Sequence, residues 1–217
     1  GTADVYDQSS PNDGFLFGNL LIDSGATVNG GPVSGYSLAM YGNVTNNGTL
    51  TTSSTGGELR MKGPSIINNG TIPVAGHFHF DSTTSISGSG TFNGANQWIN
   101  ANGNVTLLSD VTIAPSANLT MQTGGVLNIN GFVLTFSSGT FILNAGSTVN
   151  SPGTVRTQNN VAIYTGNSSL FNSDIKVNNG FLTSGTTGID RIFGNVTVDN
   201  GASYNCGYTS GRTTAFY

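Results

Sequence analysis

The chain has 217 residues, of which 7% are charged and 36% hydrophobic, with a formal net charge of −4. Six scattered Lys and Arg form no phosphate-binding surface, so nucleic acid is excluded as a partner. No apolar run reaches the roughly 18 to 20 residues of a membrane span, and a single cysteine, Cys206, excludes an intramolecular disulfide framework.

Thr (28), Ser (24), Asn (27) and Gly (32) make up about half the chain, while helix formers are scarce: Glu58 is the only glutamate, Lys62 and Lys176 the only lysines. Strand-favouring residues are plentiful and no window carries apolar residues at helical spacing, so the class is all-β. Residues 1–13 are polar and turn-rich, and residues 1–18 are expected to form an N-terminal arm or cap ahead of a domain spanning 19–217. With Gly1 first and Met40 the first methionine, a processed or partial chain is expected.

From Ile22 a phrase recurs: an apolar residue, small polar residues, and a second apolar residue six positions on. Ile22…Val28, Val44…Leu50, Ile66…Ile72 and Ile86…Phe92 begin 22, 22 and 20 residues apart. A second series, Ile99…Val105, Met121…Leu127, Leu143…Val149 and Tyr164…Leu170, steps by 22, 22 and 21. Only 13 residues separate Ile86 from Ile99, which places more than one phrase-bearing strand in each coil. Strands over Phe132–Phe136 and Thr140–Leu143 supply core residues, and Val198…Tyr204 repeats the phrase, its wording closest to Ile22–Asn29. Asn-Gly pairs at Asn29, Asn47, Asn69, Asn93, Asn102, Asn130, Asn179 and Asn200 predict turns with left-handed backbone.

A period near 21 with short strands predicts a right-handed parallel β-solenoid of roughly ten coils of about 20–22 residues. At about 4.8 Å per coil this is a rod of about 50 Å. Thr, Ser and Asn at equivalent places then form hydrogen-bonded ladders. An antiparallel sandwich or barrel is the alternative, since Asn-Gly also favours hairpins; the steady spacing favours the solenoid.

The stretch from Val111 to Phe136, with Thr-Gly-Gly-Val-Leu-Asn-Ile-Asn-Gly at 123–131, resembles repeats of large secreted bacterial β-solenoid proteins, as does Gly194–Tyr204. Filamentous adhesins, autotransporter passengers and surface proteins exported by type IX-like systems carry such repeats. The resemblance implies export, a right-handed parallel solenoid and a surface or matrix role. It transfers no functional residue.

His77 and His79 alternate with Phe78 and Phe80, so both imidazoles belong on one strand face and both phenyl rings on the other, with Asp81 on the Phe side. Two histidines without further ligands make no zinc or copper site, and they read as surface residues. The carboxylates are dispersed: Asp4, Asp7 and Asp13 as solvated acids at the start, then Asp23, Glu58, Asp81, Asp110, Asp174, Asp190 and Asp199. Stacking alone can join acids a coil apart, and Asp190-Arg191 reads as a surface pair or turn. Sequons at Asn43, Asn47, Asn69, Asn104, Asn118, Asn167 and Asn195 are no more than the composition provides. Trp98 reads as core, Cys206 as a buried thiol, and Thr49-Leu-Thr51 as an isolated Thr-x-Thr.

No catalytic, cofactor-binding or metal-ligating residue is assigned, no cofactor is expected, and the chain is not expected to be an enzyme. The expected function is that of an extracellular or cell-surface structural protein: a self-assembling filament subunit or an adhesin segment. Its partners would be further copies joined head to tail, with a polysaccharide or cell-surface ligand for an adhesin. A carbohydrate-binding or polysaccharide-cleaving β-helix is the alternative. Acids clustered with aromatics on one face would favour that alternative; a uniform Thr/Asn surface would favour the structural role.

Overall fold

A computed structural model describes the chain except residues 1, 5–12, 32–33, 95, 100–102, 115–116, 167–168, 185–188, 207–212 and 217. Among the described residues every regular element is a strand. The strands rotate in strict order through three parallel sheets of ten strands each, sheets A, B and C. Sheet A begins Thr2–Asp4, Thr27–Gly31, Thr49–Thr52; sheet B begins Asp13–Leu16, Ser37–Met40, Glu58–Met61; sheet C begins Leu20–Ile22, Val44–Asn46, Ser65–Asn68. The fold is a parallel β-solenoid in which each of ten coils gives one strand to each sheet. Within 1–18, Thr2–Asp4 pairs with Thr27–Asn29 and Asp13–Leu16 with Ser37–Met40, the first rungs of sheets A and B.

Strand alternation sends every second side chain inward, where columns of apolar residues climb the axis. In sheet A the inward column is Val28, Leu50, Ile72, Phe92, Ile113 and Phe136, all buried. In sheet B, Leu38, Leu59 and Phe78 stack with Gln97, Leu119 and Phe141. Aromatic rings tie the sheets together. Phe136 of sheet A, Phe141 of sheet B and Phe171 of sheet C meet with centroids 5.2 and 6.1 Å apart, and Phe78 meets Phe92 edge-on at 5.9 Å.

The register explains the two phrase series. Val44, Ile66 and Ile86 lie in sheet C, and Leu50, Ile72 and Phe92 in the sheet A strands that come next, so the first series marks the corner from C to A. The second marks the corner from B to C: Ile99, Met121 and Leu143 share a column of sheet B, and Val105, Leu127 and Val149 one of sheet C. Val198…Tyr204 lies at the corner from A to B, so its likeness to Ile22–Asn29 joins two different corners. Two alignments differ in detail. Leu20, not Ile22, is level with Val44. Thr165 and Phe171, not Tyr164 and Leu170, continue the second series. Corner loops absorb these slips of one or two residues.

The Asn-Gly turns need glycine for two different reasons. At Asn130 the left-handed backbone is present, with φ 56° followed by 86° at Gly131. At Gly48 and Gly70 φ is ordinary, and the requirement is space: an added Cβ would strike the carbonyl oxygens of Ala26 and Gly48 in the coil below. The expectation of left-handed backbone therefore holds at the pairs beginning with Asn130, Asn179 (Gly180 φ 70°) and Asn200 (Gly201 φ 83°), and fails at those beginning with Asn29, Asn47, Asn69 and Asn93; Asn102 lies outside the described residues.

Polar ladders run along the stack as expected. Asn150 Nδ2 donates to Asn128 Oδ1 at 2.8 Å, and Asn172 Nδ2 to Asn150 Oδ1 at 3.4 Å. Inside the corner from C to A, fully buried Asn46 donates to Asn68 Oδ1 at 2.8 Å and to the Thr71 carbonyl at 3.0 Å. Sheet A also carries a column of threonines, invisible along the chain because its members are a coil apart. Thr27, Thr49, Thr71, Thr91, Thr112 and Thr135 are stacked in register.

Among the described residues, the Thr157 hydroxyl and the Gln97 side-chain carbonyl are buried in the core without partners. Isosteric Thr157→Val should raise stability by about 1 kcal/mol, because it removes an unpaired buried hydroxyl. Phe78→Ala should lower it by about 3–5 kcal/mol. Guanidinium unfolding followed by circular dichroism measures both; a destabilised Thr157→Val would show that the hydroxyl is in fact paired.

Candidate functional site

In a chain this poor in charge, the outer face of sheet B at the third and fourth coils collects the only glutamate and both histidines. Strands Glu58–Met61 and His77–Phe80 pair so that His77 lies beside Glu58 and His79 beside Arg60. Phe78 and Phe80 point into the core, as expected from the alternation. Arg60 Nε donates to Asp81 Oδ2 at 2.8 Å and Arg60 Nη1 to Glu58 Oε2 at 3.1 Å. Glu58 Oε2 also lies 3.8 Å from His79 Nε2.

Two expectations are corrected here. Asp81 joins the His and Arg side, not the Phe side, because it stands two residues past His79 and the strand alternation carries on through it. His79 is 4% exposed and thus not a surface residue, whereas His77 is half-buried. Stacking has joined acids a coil apart, and the readable signal was the interval: Arg60 and Asp81 are 21 residues apart, one period.

Burial alone would pull the Arg60 guanidinium down. Its hydrogen bond to Asp81 and the charges of Asp81 and Glu58 outweigh burial and raise it above its ordinary value. Arg60 is therefore a permanent cation that engages both carboxylates. The arrangement fixes charge in place and does not set a carboxylate pair across an open cleft.

The corner beside it is aromatic. Tyr41 N–H donates to Leu16 O, Lys62 N–H to Met40 O and Asp81 N–H to Met61 O, which stacks Phe17, Tyr41, Lys62 and Asp81 in one column. The Phe17 and Tyr41 rings stack 4.9 Å apart, Phe15 lies 6.3 Å from Phe17, and the Lys62 ammonium sits 5.5 Å from the Tyr41 centroid. Phe15 is 51% and Phe17 73% exposed. This aromatic group had no signal in the sequence, since Phe17 and Tyr41 meet only through register.

The other acids serve neighbouring coils singly. Asp110 accepts from the Val133 N–H at 2.9 Å, Asp174 from the Asn195 N–H at 2.8 Å, and Asp199 lies 3.6 Å from Lys176. Asp23 is exposed. Among the described residues no three His, Cys, Asp or Glu are placed to hold a metal ion. Of the sequon asparagines, Asn43, Asn47, Asn69 and Asn195 are exposed and Asn104 and Asn118 half-buried. Asp7 and Asn167, and the side chains of Asp4, Asp13, Trp98, Asp190, Arg191 and Cys206, lie outside the described residues. An interior cavity of about 20 Å³ lies between Phe80, Phe92, Leu119 and Gln97. It is little larger than one water.

Comparison with family models, curated proteins and solved structures gives no match. No helix among the described residues is long and apolar enough to cross a membrane.

Truncating His79 should cost more than truncating His77: about 1–3 kcal/mol against well under about 1 kcal/mol, in line with their burial. Arg60→Ala and Asp81→Ala should be non-additive by about 0.5–3 kcal/mol in a double-mutant cycle. Equal losses for the two histidines, or additive losses for the pair, would contradict this geometry.

Proposed function

We propose that this chain is part of an extracellular structural protein, a filament subunit or adhesin segment of the secreted bacterial solenoid kind, working as a stiff rod. The observation that carries the reading is the run of side-chain ladders over consecutive coils on a nearly charge-free surface: Thr27 to Thr135 on sheet A, Asn128 to Asn172 on sheet C. Ladders of this kind leave few free backbone or side-chain donors to proteases, and low charge limits repulsion between rods. Head-to-tail joining obeys the same logic, because a joint between copies repeats the parallel pairing found between coils. A surface or matrix location agrees with this role.

A second reading has its own observation. The exposed Phe15 and Phe17 rings, with half-buried Tyr41 stacked on Phe17 beside Lys62 and with Arg60 nearby, bring aromatics and charge onto one face, as carbohydrate binding requires. In an adhesin the two readings combine, with a ladder-built rod carrying a recognition patch.

Negative-stain micrographs of the intact chain should show rods, with an axial repeat of about 50 Å where copies join. Assays for reducing ends and unsaturated uronides on common polysaccharides should show no turnover. Robust turnover abolished by Glu58→Gln or Asp81→Asn would replace the structural reading with an enzymatic one.

A further inference from the structure

We propose that the outer face of sheet C is a self-association surface on which two copies of this chain lie side by side. This lateral contact deepens the structural reading above and is distinct from head-to-tail joining. One column of the face runs Leu21, Thr45, Ile67, Ser87 in paired register. Leu108 continues it, its N–H donating to Ile86 O at 2.8 Å. Large aliphatic and small hydroxyl side chains thus alternate coil by coil. Leu21, Ile67 and Leu108 are 62%, 39% and 50% exposed, although each has the apolar area to fill a core position.

The alternation makes the face complementary to itself. Successive aliphatic side chains stand about 9.6 Å apart, twice the coil spacing, with a gap over each Thr or Ser between them. A second copy turned about a two-fold axis between the third and fourth coils sets Ile67 over Ser87 of the other copy, and Leu108 over Thr45. Both copies make the same contacts, as an isologous pair requires.

The occupant is set by charge and by rigidity. Beside the alternating column runs a polar one in which Ser65 Oγ donates to Asn43 Oδ1 at 2.7 Å and Asn43 Nδ2 to Asn19 Oδ1 at 3.3 Å. Further along, Asn128 donates to Thr106 Oγ1 at 3.2 Å. Neither column carries a charge on its first five coils, so a charged ligand finds no counterpart, while a second copy meets no like charge. The ladder holds the face in one shape, which lowers the entropy lost on docking. This two-fold overlaps six coils of each copy, a face of about 29 by 10 Å, so a pair buries on the order of 600 Å² in total, the size of a weak, transient contact. The association is accordingly reversible, and it strengthens by avidity when rods are joined in line.

Sedimentation equilibrium of the intact chain across a wide concentration range tests this. Ile67→Lys and Leu108→Lys, alone and together, should move self-association to about ten-fold or higher concentration with unchanged circular dichroism. Ser87→Leu, which fills a gap without adding charge, should weaken it as well. Thr71→Lys places the same charge on sheet A and should leave it unaltered. A chain monomeric at every concentration overturns the proposal, as does equal weakening by Thr71→Lys. Association that survives both lysine substitutions on sheet C also overturns it and leaves head-to-tail joining, seen as rods in micrographs, as the mode of assembly.

Discussion

Everything in this molecule depends on the parallel backbone ladder that lays each coil on the one before. A coil cannot satisfy its own N–H and C=O groups; they are paired only by the coils above and below. Pairing also fixes which side chains become neighbours, since a step of 19 to 25 residues along the chain is one step of about 4.8 Å along the axis. At that distance like apolar residues pack well, and amides and hydroxyls donate to their equivalents. Like charges repel. The low charge of the chain is therefore a consequence of stacking. Where two cations do stack, at Arg156 and Lys176 in sheet A, Asp199 stands 3.6 Å from the lysine.

The corners obey a different constraint. Strands can repeat with little variation, but three changes of direction per coil must fit above one another, and backbone approaches backbone there. Gly48 and Gly70 occupy one such corner because a side chain on either would meet a carbonyl oxygen of the coil below. Asn46 and Asn68 face into the same corner, buried, and donate to the carbonyls of Thr71 and Thr91 in the next coils. Amide side chains here do what an interior water would otherwise do, and each depends on its copy one coil away.

The fold was legible because its period was. Two series of apolar phrases, offset by 13 residues, corresponded to two corners of one coil, and the alternation in His77–Phe80 placed the phenyl rings correctly in the core. Chemistry that depends on register was not legible. Glu58, Arg60 and Asp81 look dispersed along the chain, and the six threonines of sheet A look like composition. Phe17 and Tyr41 stack because Tyr41 N–H meets Leu16 O, a pairing that the first phrase series does not predict, since it missed the 24-residue step in that coil. His79 was misplaced for a related reason. Alternation tells which side of the sheet a residue faces, but burial on the outer side depends on neighbours a coil away, here Arg60 and Glu58.

The same one-dimensional logic governs how stability is distributed. In a solenoid each coil touches only its neighbours, so stability is close to a sum of coil terms and contacts between adjacent coils. Among the described residues the core holds two aromatic knots, Phe78 with Phe80 and Phe92, and Phe136 with Phe141 and Phe171. Between them the inward column of sheet B is broken by Gln97, whose carbonyl has no partner and which borders the interior cavity. A polar intrusion in a globular core is diluted over many contacts. Here it falls on two coil interfaces alone, and the strength of the whole rod is limited by its weakest interface. The outward ladder offsets part of this defect: Asn118 Nδ2 donates to Asn96 Oδ1 at 3.2 Å across one of these two interfaces. The side-chain ladders thus hold adjacent coils together where apolar packing falls short.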